Sequence, residues 1–366
     1  MSELQQVDVV EQTAKLAPAL AALAAASDVE GVFPTAAMGL LHTAGLATAA
    51  LPAHDGGLGL NEAASRLSLL NVLKHVGRGD LAVGRLYEGH VNALQLVYDF
   101  GTRPQQQAAA LAAAQGLWSG VWNTQGPDGL RMVALGNGWR LSGCKTFASG
   151  AGHLARPVVT AQRPDGTWQM LVLDTALMPP SVDPSFWQPL GMRATASFKV
   201  CFDDVRVDAD AMLGAPGDYT REPGFTAGSV RFAAVQLGGA EAVLDETRRF
   251  LQALGRADDP YQRLRLGEMA MRVESGGLWL HGAARHVDDT RYAQMMRAAI
   301  EDVGLRVMQL AERCVGARGL LRPEPFERLH RNLTLYLRQP APDAGMASVG
   351  QHVLTRQEPV HRVWGP

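Results

Sequence analysis

The residues with the clearest chemical reach sit at the end of one alternating segment. From Gly138 the chain reads Gly138-Trp139-Arg140-Leu141-Ser142-Gly143-Cys144-Lys145-Thr146-Phe147-Ala148-Ser149-Gly150-Ala151. Trp139 and Leu141 alternate with Arg140 and Ser142. After Gly143, the residues Lys145, Phe147 and Ser149 take the opposite parity from Cys144, Thr146 and Ala148. Alternation predicts a strand, and an interior glycine predicts a bulge or a close backbone approach. Beyond Phe147, the small residues and the free Ser149 hydroxyl leave space where a flat ligand could lie.

Other candidates are less specific. His90 stands beside Gly89 in a helical segment and reads either as a packed core histidine or as a residue that a ligand can approach closely. Cys144, Cys201 and Cys314 are odd in number, widely separated and in no metal-ligand spacing, which predicts buried free thiols and no metal site. Arg231, at the start of a later helix, reads either as a solvated charge or as a ligand contact. Gly316 and Gly319 read either as a helix C-cap or as a turn that touches a ligand.

These residues need a large scaffold, and 366 residues with 47% hydrophobic content supply one. Lys and Arg number 34 against 36 Asp and Glu, with no basic run interleaved with aromatics, so no nucleic-acid footprint is present. The polar, acidic start predicts no secretory leader. No run is long enough for a membrane span, and the Leu16–Ala26 segment reads as a helix, so a cytoplasmic location is expected.

Residues 1–115 carry helical periodicity, with apolar stripes at Leu67, Leu70 and Val72 and at Leu86, Val91, Leu94 and Leu96. Residues 116–222 turn to short β-rich runs with hairpin signals at Asn137-Gly138 and Asp165-Gly166, predicting an antiparallel sheet or barrel. Residues 223–366 return to long helices that predict a second, four-helix-bundle-like domain. The fold class expected is α+β in the order α, β, α.

The segment Gly138, Leu141, Gly143, Lys145, Phe147, Ser149 resembles the middle domain of the acyl-CoA dehydrogenase family. There, such a strand lies against a flavin ring, and the hydroxyl near its end hydrogen-bonds the flavin. Leu190-Gly191-Met192-Arg193-Ala194-Thr195 and Phe202-Asp203-Asp204-Val205-Arg206-Val207 also match, and the likeness extends from about residue 30 to 354. It implies FAD, or alternatively FMN, bound by Asn123, Phe147, Ser149, Gly316 and Gly319, and a substrate near Arg231. A homodimer or homotetramer is the assembly it implies.

The departures from that pattern bear on the reaction. Pro340 falls where the family's catalytic glutamate belongs, and Val230 occupies the alternative base position. Gly255 to Pro260 replaces a longer segment that helps hold the FAD pyrophosphate. Asp343 is the one nearby carboxylate that a rearrangement could bring in as a displaced base. Both departures fit a branch of the same fold, the two-component flavin monooxygenases resembling dibenzothiophene monooxygenase, which take reduced flavin from a separate reductase. Phe147-Ala148-Ser149-Gly150-Ala151, His90, Arg331-Asn332 and Ser348-Val349-Gly350-Gln351-His352 match its motifs, with Ser348 where a first histidine is expected. In this reading His90 and His352 converge on the flavin as proton donors or acceptors. The expected function is a reduced-flavin monooxygenase. The alternatives are a dehydrogenase acting on a CH–CH bond, with an acyl thioester among its possible substrates, and a flavin-binding protein without catalysis.

Overall fold

The structure is a computed structural model that describes residues 3–29, 31–286 and 288–359. Its first part is helical: α1 (Glu3–Ser27), α2 (Thr35–Thr43), α3 (Arg66–Gly79), α4 (Leu81–Phe100) and α5 (Arg103–Ala114). α4 begins where the Asp80 carboxylate accepts a hydrogen bond from the Ala82 N–H at 2.8 Å, an N-cap. Its buried residues include Leu81, Val83, Leu86, Tyr87, Glu88, His90, Val91 and Leu94, on all sides of the helix. A helix buried all round must give each polar side chain it carries a partner or a ligand.

The central part holds β1 (Val121–Trp122), β2 (Arg131–Leu135), β3 (Gly138–Ala148), β4 (Val158–Gln162), β5 (Trp168–Val172), β6 (Ser181–Asp183), β7 (Phe198–Val207) and β8 (Met212–Leu213). They form one sheet in the order β6-β7-β3-β2-β4-β5-β8, with β1 beside β4. β4 runs parallel to β1 and to β2, and the other pairings are antiparallel. The sheet is therefore mixed and open, which corrects the antiparallel and barrel expectations. The β2–β3 hairpin turns at Gly136-Asn137, with Leu135 opposite Gly138, one residue earlier than the Asn137-Gly138 signal.

A second correction concerns the thiols. Cys144 on β3 lies opposite Cys201 on β7 with their Cα atoms 4.1 Å apart, and the two form a disulfide. Cys314 is free and buried. Strand pairing joined residues that are 57 apart in sequence, which spacing alone does not show.

The last part comprises α6 (Gly224–Ala253), α7 (Pro260–Arg285), α8 (Thr290–Gly319), α9 (Pro325–Tyr336) and α10 (Pro342–Thr355). α6 packs on both α3 and α8. Its approach to α3 is closer than side chains would allow. A Cβ on Gly238 would stand 2.0 Å from the Lys74 carbonyl oxygen, and one on Gly77 2.4 Å from that of Val235. This contact brings α6 against the α3–α4 pair and fixes the spacing of the polar residues described next.

Candidate active site between the sheet and the helices

A cavity of about 920 Å³ lies where the central sheet meets the two helical parts. Its β wall is built by β3. Gly143, at φ 114, has room for no Cβ, which would sit 2.4 Å from the Gly129 carbonyl oxygen, and a register shift against β7 falls there. A second shift between Lys145 and Ala148 places Phe147 at φ 53, a left-handed conformation that a bulky residue rarely adopts. The Phe147 ring is 53% exposed and meets Phe186 and Trp187 edge-on, at centroid distances of 5.2 and 6.1 Å.

Beyond Phe147 the wall carries hydroxyls. Ser149 Oγ lies 2.9 Å from Ser197 Oγ, which is 2.7 Å from Thr195 Oγ1. Asn123 is anchored from behind. Lys145 Nζ donates to the Asn123 carbonyl at 2.9 Å, to Gln125 Oε1 at 2.8 Å and to Thr160 Oγ1 at 3.0 Å, while Thr160 donates to Asn123 Oδ1 at 2.8 Å. Lys145 is fully buried, and burial pulls its ammonium down to about 7.

The Leu190–Thr195 loop closes one side. Asn332 Oδ1 accepts from the Met192 N–H at 2.6 Å, and Arg331 donates to the Leu190 carbonyl at 3.1 Å and pairs with Asp28 at 2.6 Å. Arg331 and Asn332 therefore clamp a loop whose Met192 and Thr195 line the cavity.

The helical wall is more highly charged. Glu88 of α4, 2% exposed, pairs with Arg85 and accepts from Asn92 Nδ2 at 2.5 Å. Asn92 Oδ1 in turn accepts from Arg231 Nε of α6. Burial pushes the Glu88 carboxyl upward, and the Arg85 and Arg231 charges restrain that rise. Tyr336, at the end of α9, also lines the cavity, with its buried hydroxyl beside the Glu88 carboxyl. Burial, then the Glu88 charge, raises Tyr336 well above a free phenol. A buried phenol beside a buried carboxyl, both lining a cavity, marks a candidate functional pair.

Asn123, Phe147, Ser149 and Arg231 thus line one cavity. The remaining expected site residues do not. His90 is 0% exposed, with Nε2 2.8 Å from the Ala47 carbonyl oxygen, Nδ1 accepting from the Ser119 N–H at 3.0 Å and its ring edge-on to Trp118. Both ring nitrogens are occupied in the neutral form, which corrects the expectation of a ligand-facing proton donor. His352 on α10 places its ring against Arg291 of α8, with Arg291 Nη1 2.5 Å from Nε2. It does not line the cavity, so the two histidines do not converge there.

Asp343 is exposed in the first turn of α10 and does not line the cavity, although Pro340, Ala341 and Ala344 beside it do. Gly316, at φ 61 and ψ −166, breaks α8 just before Gly319 ends it, and neither lines the cavity. Sequence reasoning missed Glu88, Asn92, Tyr336 and Arg66. The available signal was Arg85 and Glu88, two opposite charges three residues apart in the otherwise largely apolar first half of α4.

A helical part, a central mixed sheet and a second helical part, with a cavity at their junction, define the class. The N-terminal domain model of the acyl-CoA dehydrogenases matches residues 5–116 and the C-terminal domain model residues 219–337, together more than half of the chain. The chain belongs to the acyl-CoA dehydrogenase superfamily, whose members are flavin-dependent oxidoreductases.

Among curated proteins it is 24% identical over 387 residues to dibenzothiophene monooxygenase of Rhodococcus erythropolis, covering 93% of this chain and 91% of that one. It is 25% identical over 336 residues to the mitochondrial short-chain specific acyl-CoA dehydrogenase of Bos taurus, covering 85% and 80%. The butyryl-CoA dehydrogenase structure from Megasphaera elsdenii superposes with a TM-score of 0.83 at 20% identity, over 95% of this chain and 98% of that one. FMN-bound TdsC from Paenibacillus sp. A11-2 superposes at 0.80 and 20% identity, over 97% and 98%.

Proposed function

We propose that the protein oxidises a small organic molecule with a flavin held against Phe147, Ser149 and Asn123, and that Glu88 is its proton-transfer group. The observation that carries this reading is that Glu88, a buried carboxylate, lines the same cavity as the Phe147–Ser149 strand end. FAD is the expected flavin and FMN the alternative, and both fit a wall made of an exposed aromatic ring and three linked hydroxyls. When bound, the flavin supplies a two-electron acceptor.

The chain's own residues do the rest. Phe147 and Trp187 would give the flavin an apolar bed, and Ser149, linked through Ser197 to Thr195, would supply a hydroxyl to hydrogen-bond it. Glu88, raised by burial, takes a proton from an acidic C–H of the substrate, the role that Pro340 and Val230 cannot fill. The Arg85 charge favours its ionised form, and Asn92 orients the carboxylate. Dehydrogenation of a CH–CH bond is the reaction class this supports, with acyl thioesters as one substrate chemistry.

The second reading is a reduced-flavin monooxygenase with a separate reductase as partner, supported by the near full-length likeness to dibenzothiophene monooxygenase. Assembly as a homodimer or homotetramer and a cytoplasmic location belong to either reading. Among the described residues no helix is long and apolar enough to cross a membrane.

The test is a pair of measurements on flavin-loaded protein. Anaerobic mixing with a panel of acyl-CoA thioesters bleaches the flavin's visible absorbance if the dehydrogenase reading holds, and Glu88→Gln slows the bleaching. If no thioester bleaches it, but reduced flavin and oxygen hydroxylate an aromatic substrate, the monooxygenase reading replaces it.

A further inference from the structure

Among the described residues six arginines line the cavity, and four have partners. Arg85 pairs with Glu88, Arg221 with Asp218 and Arg338 with Glu301, while Arg297 donates to the Gln339 and Pro340 carbonyls at 3.0 and 2.7 Å. Arg231 and Arg66 differ. Arg231 is 6% exposed, and its Nε is anchored on Asn92, but no carboxylate among the described residues lies within ion-pair distance of its guanidinium. Arg66 of α3 has a buried Nε without a hydrogen-bond partner among the described residues. Of the acids around them, Glu88 is engaged by Arg85 and Asn92 and Asp99 by Gln95 Nε2 at 2.7 Å, while the exposed Asp288, whose charge acts on Arg66, stands beyond ion-pair distance of it.

A buried cation such as Arg231 without an ion-paired carboxylate is costly, and the half-buried Arg66 facing the same space adds to that cost. Burial, followed by the Arg66 charge, lowers Arg231 to about 10, so the two guanidiniums feel each other. A planar guanidinium fixed at Nε still offers its outer N–H groups to an oxyanion, and two such forks match a carboxylate or phosphate.

We infer that the substrate of this site carries an anionic group, a carboxylate or a phosphate ester, bound by Arg231 and Arg66 from the helical wall. This inference rests on the reading of the cavity as a flavin-and-substrate site and names the class of substrate. The anion neutralises a positive charge that the protein leaves open, and it orients the rest of the molecule between Glu88 and the Phe147 wall. Neutral analogues of the same size lose that anchor.

Calorimetric titration of the full chain with succinate and with inorganic phosphate, before and after loading with FAD, FMN or riboflavin, tests it. Saturable binding of either anion is expected in the unloaded and in every flavin-loaded form, weakened about tenfold or more in Arg66→Gln and Arg231→Gln and unchanged in the surface variant Arg263→Gln. Arg231→Lys, which keeps the charge but not the fork, is expected to recover part of the loss.

Absence of saturable binding by either anion overturns the inference. So does binding that survives riboflavin but disappears with FAD or FMN, because the arginines then hold the cofactor's phosphate. That outcome leaves the flavin site itself standing. Conversely, anion binding with no flavin bound under any condition keeps the arginine site and removes the flavin reading. If Arg231→Gln does not fold, Arg66→Gln, whose side chain anchors no neighbour, decides the matter.

Discussion

Asn92 stands one turn beyond Glu88 on α4 and donates Nδ2 to Glu88 Oε2 at 2.5 Å, while its own Oδ1 accepts from Arg231 on α6. This one amide connects the buried carboxylate of the first helical part to the buried guanidinium of the last. The pairing depends on the close α3–α6 contact at Gly77 and Gly238, since a wider spacing would separate donor from acceptor.

Replacing Glu88 tests both its stability role and its chemistry. Glu88→Ala leaves Arg85, about one quarter exposed, without its carboxylate, and a loss near 3 kcal/mol in urea unfolding is expected. Glu88→Gln keeps the shape and the Asn92 contact, so it should fold with a smaller loss yet lower the single-turnover rate about 10²–10⁴-fold. Equal rates in Glu88→Gln and parent would remove Glu88 from the chemistry.

His90 predicts an acid limb of stability. Its folded pKa is lowered from 6.5 to about 4 by burial, so the unfolded chain takes up a proton that the folded chain refuses. The stabilisation is complete above pH 6.5 and falls as the pH drops towards 4, by on the order of 3 kcal/mol. Urea midpoints measured at pH 7 and pH 4.5 should lie further apart in the parent than in His90→Gln, which can still donate to Ala47 and accept from Ser119. His75, also lowered to about 4, keeps part of the slope in the variant, and Asp80, raised to about 6, opposes it in both. The difference between the proteins therefore isolates His90, and identical slopes would show that it does not stay neutral.

Ser149→Ala removes a hydroxyl bonded to Ser197. Flavin affinity is expected to fall about fivefold, with a shift in the flavin's visible spectrum and little change in melting temperature. Unchanged affinity and spectrum for FAD and FMN alike would place the flavin elsewhere.

The cross-strand disulfide predicts a thiol count. Under denaturing, non-reducing conditions one alkylatable cysteine, Cys314, is expected, and three are expected after reduction. Native protein should react slowly even at Cys314, because the thiol is buried and burial raises its pKa. Three alkylated cysteines without reductant would show that Cys144 and Cys201 are unpaired.

The sequence by itself determined what local periodicity and backbone chemistry can fix. The α, β, α order, the β3 segment with its Gly143 bulge and the positions of Phe147 and Ser149 all follow from alternation and turn residues within a short window. So did the absence of a carboxylate at Pro340 and Val230, which needs no folding to read. Only tertiary structure decided which polar residues share a cavity. Glu88 and His90 are two residues apart on α4 and so project about 200° apart around the helix axis. A periodicity argument cannot say which of the two directions meets the cavity and which meets Ala47, Ser119 and Trp118. Packing of α6 and the sheet against opposite sides of α4 settled it in favour of Glu88. The same limit hid the Cys144–Cys201 pair and brought Arg231 to Asn92, because strand register and helix spacing are set by side chains more than fifty residues away in the chain.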